Sequence, residues 1–190
     1  MKRGLMVLAV AGLVLASVAS ASVQQGDTEL GLQAGFVSDN GAGTNGNSTD
    51  IYGEISLGYF LTDNFQAGIL AGVGWWDDEP AGSSGGGGAE TTYYRFGLSG
   101  KYHFMPTNQC VPYIGARIGY GWDKTDYDGT NVGDGTDEGL WYGPLAGLRF
   151  ELNENNDFFA EYQFTLYAGD YDDSWDETHA VYLGIIHQFK

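Results

Sequence analysis

The sequence is poor in cysteine, proline and basic residues. Its 190 residues include one cysteine, four prolines and only eight lysines and arginines. A single cysteine excludes a disulfide framework and a zinc site built from thiolates. The 25 acidic residues leave a formal charge of −17, which argues against nucleic acid as a partner. The many glycines and the scarcity of Lys and Glu also exclude a coiled coil.

Long hydrophobic runs are absent beyond the N-terminal region. No later segment approaches the roughly 18 apolar residues that a membrane-spanning helix needs. Glycine and aromatic residues are abundant instead, with 31 glycines and 15% aromatics. Disordered acidic chains are poor in aromatic residues, so this composition favours a folded, all-β protein.

The N-terminus has the layout of a secretory signal peptide. Lys2 and Arg3 precede the apolar stretch from Gly4 to Ala16, and Ala19 and Ala21 supply the small residues of a cleavage site. A membrane anchor helix is the alternative, but the apolar run is short for a bilayer. We therefore predict a signal peptide over residues 1–21 and one domain over residues 22–190.

Hydrophobic alternation with a period of two predicts eight strands. Most exceed the 5 to 6 residues of an ordinary strand and approach the roughly 9 to 11 that cross a bilayer. The predicted strands are Leu30–Val37, Ile51–Leu61, Phe65–Trp76, Thr91–Phe104, Val111–Trp122, Trp141–Leu152, Phe158–Tyr167 and Val181–Phe189.

The two faces of these strands differ sharply in polarity. One face carries no charged residue, and the other carries every charge in the strands: Glu54, Arg95, Lys101, Arg117, Arg149, Glu151 and Glu161. A soluble barrel would place the apolar face inside, but an eight-stranded barrel has too little interior volume for so many aromatic side chains. We therefore predict that the glycine-rich polar face lines the lumen and the apolar face meets lipid.

Aromatic residues on the apolar face fall near two rims, as at the two interfaces of a bilayer. The connections alternate between short turns and longer loops rich in Gly, Asp, Ser and Thr. This layout predicts an all-β fold: an eight-stranded antiparallel up-and-down transmembrane β-barrel with short periplasmic turns and long extracellular loops.

Four segments carry a resemblance to a known family. They are GYFLTDNFQAGILAGVGW, VPYIGARIGYGW, FFAEYQF and VYLGIIHQF. With them the sequence resembles the small eight-stranded outer-membrane β-barrels, the OmpA/OmpX-like family, without the periplasmic domain of larger OmpA proteins. The resemblance implies localisation in a bacterial outer membrane, contact with its lipid and lipopolysaccharide, and insertion by the barrel assembly machinery. Phe189 matches the family's assembly signal, an outward aromatic residue ending the last strand.

The inward charges are candidates for a polar network in the lumen. Unpaired charges in a dry lumen are costly, so the four cations and three anions should pair. We expect Arg149, Glu151 and Glu161 in the periplasmic half, with Arg149 and Glu161 sharing one network. The network is interpreted as a plug, and the alternative is a narrow ion-conducting pore, which the resemblance suggests.

The predicted long loops hold 17 of the acidic residues and one cation, Lys124. This favours a solvated, repelling surface, with divalent cations or another surface ligand as possible partners. Asp123, Asp126 and Asp128 are weak metal candidates, because their spacing does not fit the ligand order of an EF-hand. No cofactor is predicted.

An enzymatic function is not predicted. Some eight-stranded outer-membrane barrels modify lipid A with a serine, a histidine and an acid. Here His103 is four residues from Ser99, about 13 Å along a strand and out of reach. His179, beside Glu177, is a faint alternative. The sequence therefore predicts a non-enzymatic scaffold that displays acidic surface loops.

Overall fold

A computed structural model describes residues 23–40, 47–79, 89–127, 136–169 and 177–189. The predicted signal peptide lies outside these residues. The described residues form eight β-strands, and among them no helix is long and apolar enough to cross a membrane. The strands are β1 (Thr28–Asn40), β2 (Asn47–Phe60), β3 (Phe65–Glu79), β4 (Ala89–His103), β5 (Cys110–Tyr127), β6 (Glu138–Asn153), β7 (Asn156–Gly169) and β8 (Glu177–Phe189).

The strands form one closed barrel in which each pairs antiparallel with its neighbours in the chain, and β1 closes on β8. Short connections lie at one end, over residues 61–64, 104–109 and 154–155. The connections at the other end, over residues 41–46, 80–88, 128–137 and 170–176, have six to ten residues, and the first of them equals the six-residue connection 104–109 in length. The predicted up-and-down topology is confirmed.

The strands extend further toward the long connections than predicted. β5, for example, continues to Tyr127 instead of ending at Trp122. The predicted boundaries followed apolar alternation, whereas a strand persists wherever the ladder continues, even among polar residues. Ten acidic residues predicted in loops therefore lie in strands: Asp39, Asp50, Asp77, Asp78, Glu79, Glu90, Asp123, Asp126, Glu138 and Glu177.

The predicted assignment of the two faces is confirmed. Large apolar side chains point outward, with Leu98 56% exposed, and Arg149 points inward with 2% exposed. A closed sheet leaves each side chain either in the lumen or on the outer surface. The barrel is therefore apolar outside and polar inside.

The lumen also contains large aromatic side chains that the sequence analysis did not predict. Trp141 and Phe60 are completely buried, and Tyr52, Tyr113 and Phe159 are nearly so. Glycines on neighbouring strands make room for several of these rings. A Cβ on Gly119 would collide with the Trp141 ring, and one on Gly147 would collide with Tyr113. The glycines of the inner face therefore accommodate rings rather than an open channel.

Candidate functional site in the barrel lumen

Arg149 is the centre of an ion cluster near the short-turn end of the lumen. Its Nη2 donates to Oε1 of Glu29 at 2.5 Å, and its Nε donates to Oδ2 of Asp157. Gln66 donates to Glu29 at 2.6 Å, and Gln188 donates to Asp157 at 2.8 Å. All five side chains are buried. The cluster ties five strands of the barrel wall together, because its members come from β1, β3, β6, β7 and β8.

Lys101 and Glu161 form a second ion pair in the lumen. Nζ of Lys101 lies 2.7 Å from Oε2 of Glu161. The hydroxyl of Tyr113 donates to the same oxygen at 2.9 Å, and Gln163 donates to Oε1 at 2.6 Å. Lys101 also lies over the Tyr113 ring, 5.0 Å from its centroid. The Glu161 carboxylate is thus compensated by one cation and two neutral donors.

Arg117 and Glu54 form the third pair. Nη1 of Arg117 lies 3.5 Å from Oε2 of Glu54, which also accepts hydrogen bonds from Tyr52 at 2.6 Å and Gln33. The Arg117 guanidinium stacks over Trp141, 4.7 Å from the ring centroid. Its Nε and Nη2 are buried without a partner among the described residues. These two atoms are places for ordered water.

Arg95 lies toward the long-connection end and has a different environment. Its guanidinium lies over the rings of Tyr93, Tyr167 and Tyr52, at 4.9, 5.4 and 5.6 Å from their centroids. Nη2 donates to the hydroxyl of Tyr167 at 2.7 Å. Among the ion pairs of the described residues, none includes Arg95. Arg95, one of the four cations expected to pair, therefore forms no ion pair within the described part of the chain, and cation–π contacts with three tyrosine rings stabilise its charge.

The expected network also differs in the partners of Arg149 and Glu161. Arg149 pairs with Glu29 and Asp157, whereas Glu161 pairs with Lys101, so the expected sharing between Arg149 and Glu161 is not a direct pair. Glu151 is only half-buried, at the end of β6 where a register irregularity occurs.

The sequence analysis missed Glu29 and Asp157. Both lie one residue before the apolar alternation that defined the predicted strands at Leu30 and Phe158. Each lies an even number of residues from a known inward residue of its strand, Gln33 for Glu29 and Glu161 for Asp157, so both lie on the inner face. Extending the inner-face pattern by one residue at each strand start would have found both.

The polar lumen formed by the described residues contains a small cavity. Its volume is about 30 Å³, and it is lined by residues that include Glu29, Glu54, Lys101, Arg117 and Glu161. A cavity must exceed about 10–15 Å³ to hold one water molecule. The space therefore suits a water molecule or two and lies within the ion-pair network.

His103 is fully buried in the lumen but has no catalytic arrangement. Its ring packs against Phe60 and Tyr113, with centroids 5.2 Å away in each case. Neither ring nitrogen has a hydrogen-bond partner among the described residues. His179 lies on the outer surface, where its Nδ1 bonds the Tyr162 hydroxyl at 2.5 Å and its Nε2 lies 3.6 Å from Glu177.

The weak metal candidates are not brought together. Asp123 points inward and is buried, whereas Asp126 lies three residues on and is exposed. The Asp123 carboxylate accepts a hydrogen bond from the backbone of Asp137 at 3.0 Å. Asp128 lies outside the described residues. No cluster of three metal-ligating side chains occurs in the described part of the chain.

Phe189, the predicted assembly signal, ends β8 with an exposed side chain. Its ring meets that of His187 edge-on at 4.8 Å. His187 in turn bonds the Asn156 side chain at 3.0 Å, which satisfies a polar residue on the apolar face.

Several solved structures have the same fold. Neisserial surface protein A (NspA) is 18% identical over 86% of this chain and 96% of its own, with a TM-score of 0.53. Ail, the attachment invasion locus protein of Yersinia pestis, is 16% identical over 87% and 99%, with a TM-score of 0.52. OprG of Pseudomonas aeruginosa is 15% identical over 90% and 99%, with a TM-score of 0.53. No curated protein matches the sequence.

The family assignment comes from the sequence itself. The model of the outer membrane protein beta-barrel domain matches residues 6–189. The match spans nearly the whole chain and agrees with the closed barrel, its apolar outer face and its polar lumen. This protein belongs to the outer membrane protein beta-barrel domain family.

Proposed function

We propose that the protein is a non-enzymatic scaffold of the bacterial outer membrane that presents acidic extracellular strand ends and loops. In this proposal residues 1–21 are the signal peptide, and Phe189 is read by the barrel assembly machinery. The single observation that carries the proposal is the filled lumen. Three ion pairs or clusters and several buried rings occupy the interior, and the cavity among them measures about 30 Å³.

A filled lumen favours a structural role over transport. Each inward cation is held by a carboxylate or by tyrosine rings, so a permeating ion would have to break contacts on both sides of the barrel. The arrangement is typical of small barrels whose interior is just wide enough for side chains. The narrow ion-conducting pore is therefore the less favoured alternative.

The acidic end of the barrel favours cationic partners. Exposed carboxylates there include Glu90, Asp126, Glu138 and Glu177. Ail has been solved with the heparin analogue sucrose octasulfate, a polyanion. The acidic strand ends of this chain would repel such a ligand. We propose that divalent cations gather here and bridge the protein to the phosphates of lipopolysaccharide.

The decisive experiment for the scaffold is conductance in a planar bilayer. Refolded protein is compared with a water-filled porin as a positive control and with a loop-shortened variant. We expect neither the protein nor the loop-shortened variant to conduct, because side chains within the wall, rather than the loops, close the lumen. Steady unitary currents from the intact protein would overturn the scaffold in favour of the pore.

A further inference from the structure

The seam that closes the barrel is shorter than the strands that form it. β1 and β8 pair only as far as Ala34 and Leu183. Beyond that point each strand remains paired with its other neighbour, β2 or β7. Within the described part of the chain, no ladder pair joins residues 35–40 to residues 177–182. Both stretches are therefore open strand edges, and we call residues 177–182 the β8 edge.

The β8 edge begins at the outer aromatic rim and runs away from the membrane. Val181 points outward at its inner end, on the level of Phe36, which was predicted at that rim. Six residues of strand span about 20 Å, so most of the edge lies beyond the hydrocarbon. A partner for this edge therefore approaches from the aqueous side.

The side chains of the β8 edge leave its backbone uncovered on the β1 side. Val181 is 65% exposed, more than any other large apolar side chain in the described strands. His179 leans toward β7, where its Nδ1 bonds the Tyr162 hydroxyl and its ring meets that of Phe164 at 4.9 Å. Alternate residues of an antiparallel strand direct both N–H and C=O to the same side, so the edge offers about three donors and three acceptors.

Tyr182 separates the β8 edge from the lumen. A Cβ on Gly35 would lie only 2.5 Å from Cε1 of Tyr182, so the ring fills the space beside β1. The same ring meets that of Tyr52 edge-on at 5.4 Å. A strand that pairs with the edge would therefore stay outside the barrel and leave the lumen filled.

The β8 edge lacks the features that usually prevent a strand edge from pairing. Natural edges are protected by lysine, by proline or by bulges. Residues 177–182 read ETHAVY, with Glu177 at the outermost position as the one charged residue and no proline. The register between β7 and β8 is continuous, without a bulge. A regular edge of this kind is a template for the addition of an extended strand.

The charge at this end of the barrel favours a cationic strand. Ten acidic residues lie in the strand ends near the long connections, and Glu177 is exposed on the β8 edge itself. Such a surface attracts basic segments and repels acidic ones. An antiparallel partner would place an apolar residue opposite Val181, near its own N-terminus, and a cation opposite Glu177, near its C-terminus.

We propose that the β8 edge binds an extended, cationic peptide segment by β-strand addition. Backbone hydrogen bonds to residues 177–182 supply the affinity, and the side-chain pairs at Val181 and Glu177 fix the direction and register. The proposal rests on the placement of the long connections outside the cell, but it is independent of whether the lumen conducts.

The first test measures binding of a fluorescent peptide to the protein in phospholipid nanodiscs by fluorescence anisotropy. The peptide has about eight residues, in which threonine alternates with valine in the N-terminal half and with lysine in the C-terminal half. Two further forms carry N-methyl groups on alternate amides, one on the odd and the other on the even positions. Only one set of amides can face the edge, so one form should bind at least tenfold more weakly and the other like the parent.

The two methylated forms have the same charge and composition, which makes them matched controls for each other. Equal effects of the two methylation patterns would overturn the proposal, because attraction through charge alone does not distinguish them. Absence of saturable binding by the parent peptide would overturn it as well.

The second test locates the peptide on the barrel. Glu177→Gln should weaken binding about twofold to fivefold, because it removes the charge opposite the lysine end. Glu138→Gln is the matched control, since Glu138 is an exposed acid at the same end of the barrel but is paired with Trp122 on the far side. Equal effects of the two substitutions would contradict docking at the β8 edge. Unheated gel mobility verifies that both variants are folded.

A photo-cross-link gives the position directly. A benzophenone replaces the first valine of the peptide, and mass spectrometry maps the cross-linked residues after illumination. We expect cross-links near Val181, on β8 or on the facing stretch of β1. Cross-links confined to β3, β4, β5 or β6 would overturn the proposal, whereas the conductance experiment would be unaffected by either result.

Discussion

Individual side chains in the lumen are stabilised by pairing rather than by solvent. Arg149 illustrates the requirement, because it is 2% exposed and contacts two carboxylates. Removing one member of a buried ion cluster leaves the other charges uncompensated, which costs more than the cluster itself contributes. The lumen charges should therefore respond to substitution in groups defined by the observed pairs.

Replacement of Arg149 by Met tests this grouping. The change leaves Glu29 and Asp157 without their cation, and we expect unfolding in lipid vesicles to become easier by about 3–5 kcal/mol. Adding Glu29→Gln should recover part of the loss, because one unpaired charge disappears. Urea titration followed by tryptophan fluorescence gives the free energies of unfolding.

A double-mutant cycle supplies the control. Arg149→Met and Glu161→Gln belong to different ion pairs, so their effects should be nearly additive, whereas Arg149→Met and Glu29→Gln should be strongly non-additive. Strong coupling between Arg149 and Glu161 would show that the lumen works as a single network, contrary to the observed pairs.

The alternation of residues along each strand predicts which side chains line the lumen, but it does not predict which of these side chains pair with one another. Glu54, Lys101, Arg117 and Glu161 were predicted on the inner face, and they lie there. Their partners depend on strand tilt and on side-chain length across the lumen, which no single strand encodes. The three tyrosine rings around Arg95 could not be predicted for this reason, because Tyr52, Tyr93 and Tyr167 come from three different strands.

At the scale of the strand, glycines and aromatic residues are matched between neighbouring strands. A Cβ on Gly72 would collide with the Tyr52 ring, which is almost fully buried and donates a hydrogen bond to Glu54. Gly53, on the outer face, has no atom near the position of its missing Cβ. The glycines of the inner face are therefore packing partners of rings.

Gly72→Ala should destabilise the barrel by about 1–3 kcal/mol, because the Tyr52 ring must move within a packed lumen. Gly53→Ala in the neighbouring strand should be close to neutral. Both variants are compared by urea unfolding in the same vesicles. Equal tolerance of both substitutions would mean that the inner face is loosely packed.

The existence of each strand and the face on which each of its residues lies were predictable from the sequence, whereas the ends of the strands were not. Apolar alternation locates the part of each strand that crosses the lipid, so Leu98 and its neighbours in β4 were assigned correctly. Beyond the aromatic rim the outward residues become polar, and alternation no longer distinguishes strand from loop. Asp77, Glu90 and Asp126 were consequently assigned to loops, although they lie in register across β3, β4 and β5.

At the scale of the whole molecule, the barrel has an apolar outer band and a filled polar interior. Depth along the outer face should therefore set the tolerance for charge. Leu98→Arg, near the middle of β4, should cost about 2–4 kcal/mol in a bilayer. Thr92→Arg, on the same face and strand but beside Trp75 and Lys124, should cost about 0–1 kcal/mol.

Unfolding in phospholipid vesicles measures this difference, with the unheated gel shift as evidence that each variant inserts. The soluble-core interpretation makes a different forecast, since every site on the apolar face would then be buried, and Leu98→Arg and Thr92→Arg would be damaging alike. Equal costs for Leu98→Arg and Thr92→Arg would show that membrane depth does not control the outer face.

The most direct test of the lipid-facing barrel is the accessibility of a nitroxide at position 98. Leu98→Cys and, as the control, Glu90→Cys are labelled in a Cys110→Ser background and reconstituted in a bilayer. We expect frequent collisions with oxygen and rare collisions with a water-soluble nickel chelate at position 98, and ready access for the chelate at position 90. Access of the chelate to position 98 equal to that at position 90, or exclusion of both reagents from position 98, would contradict this expectation.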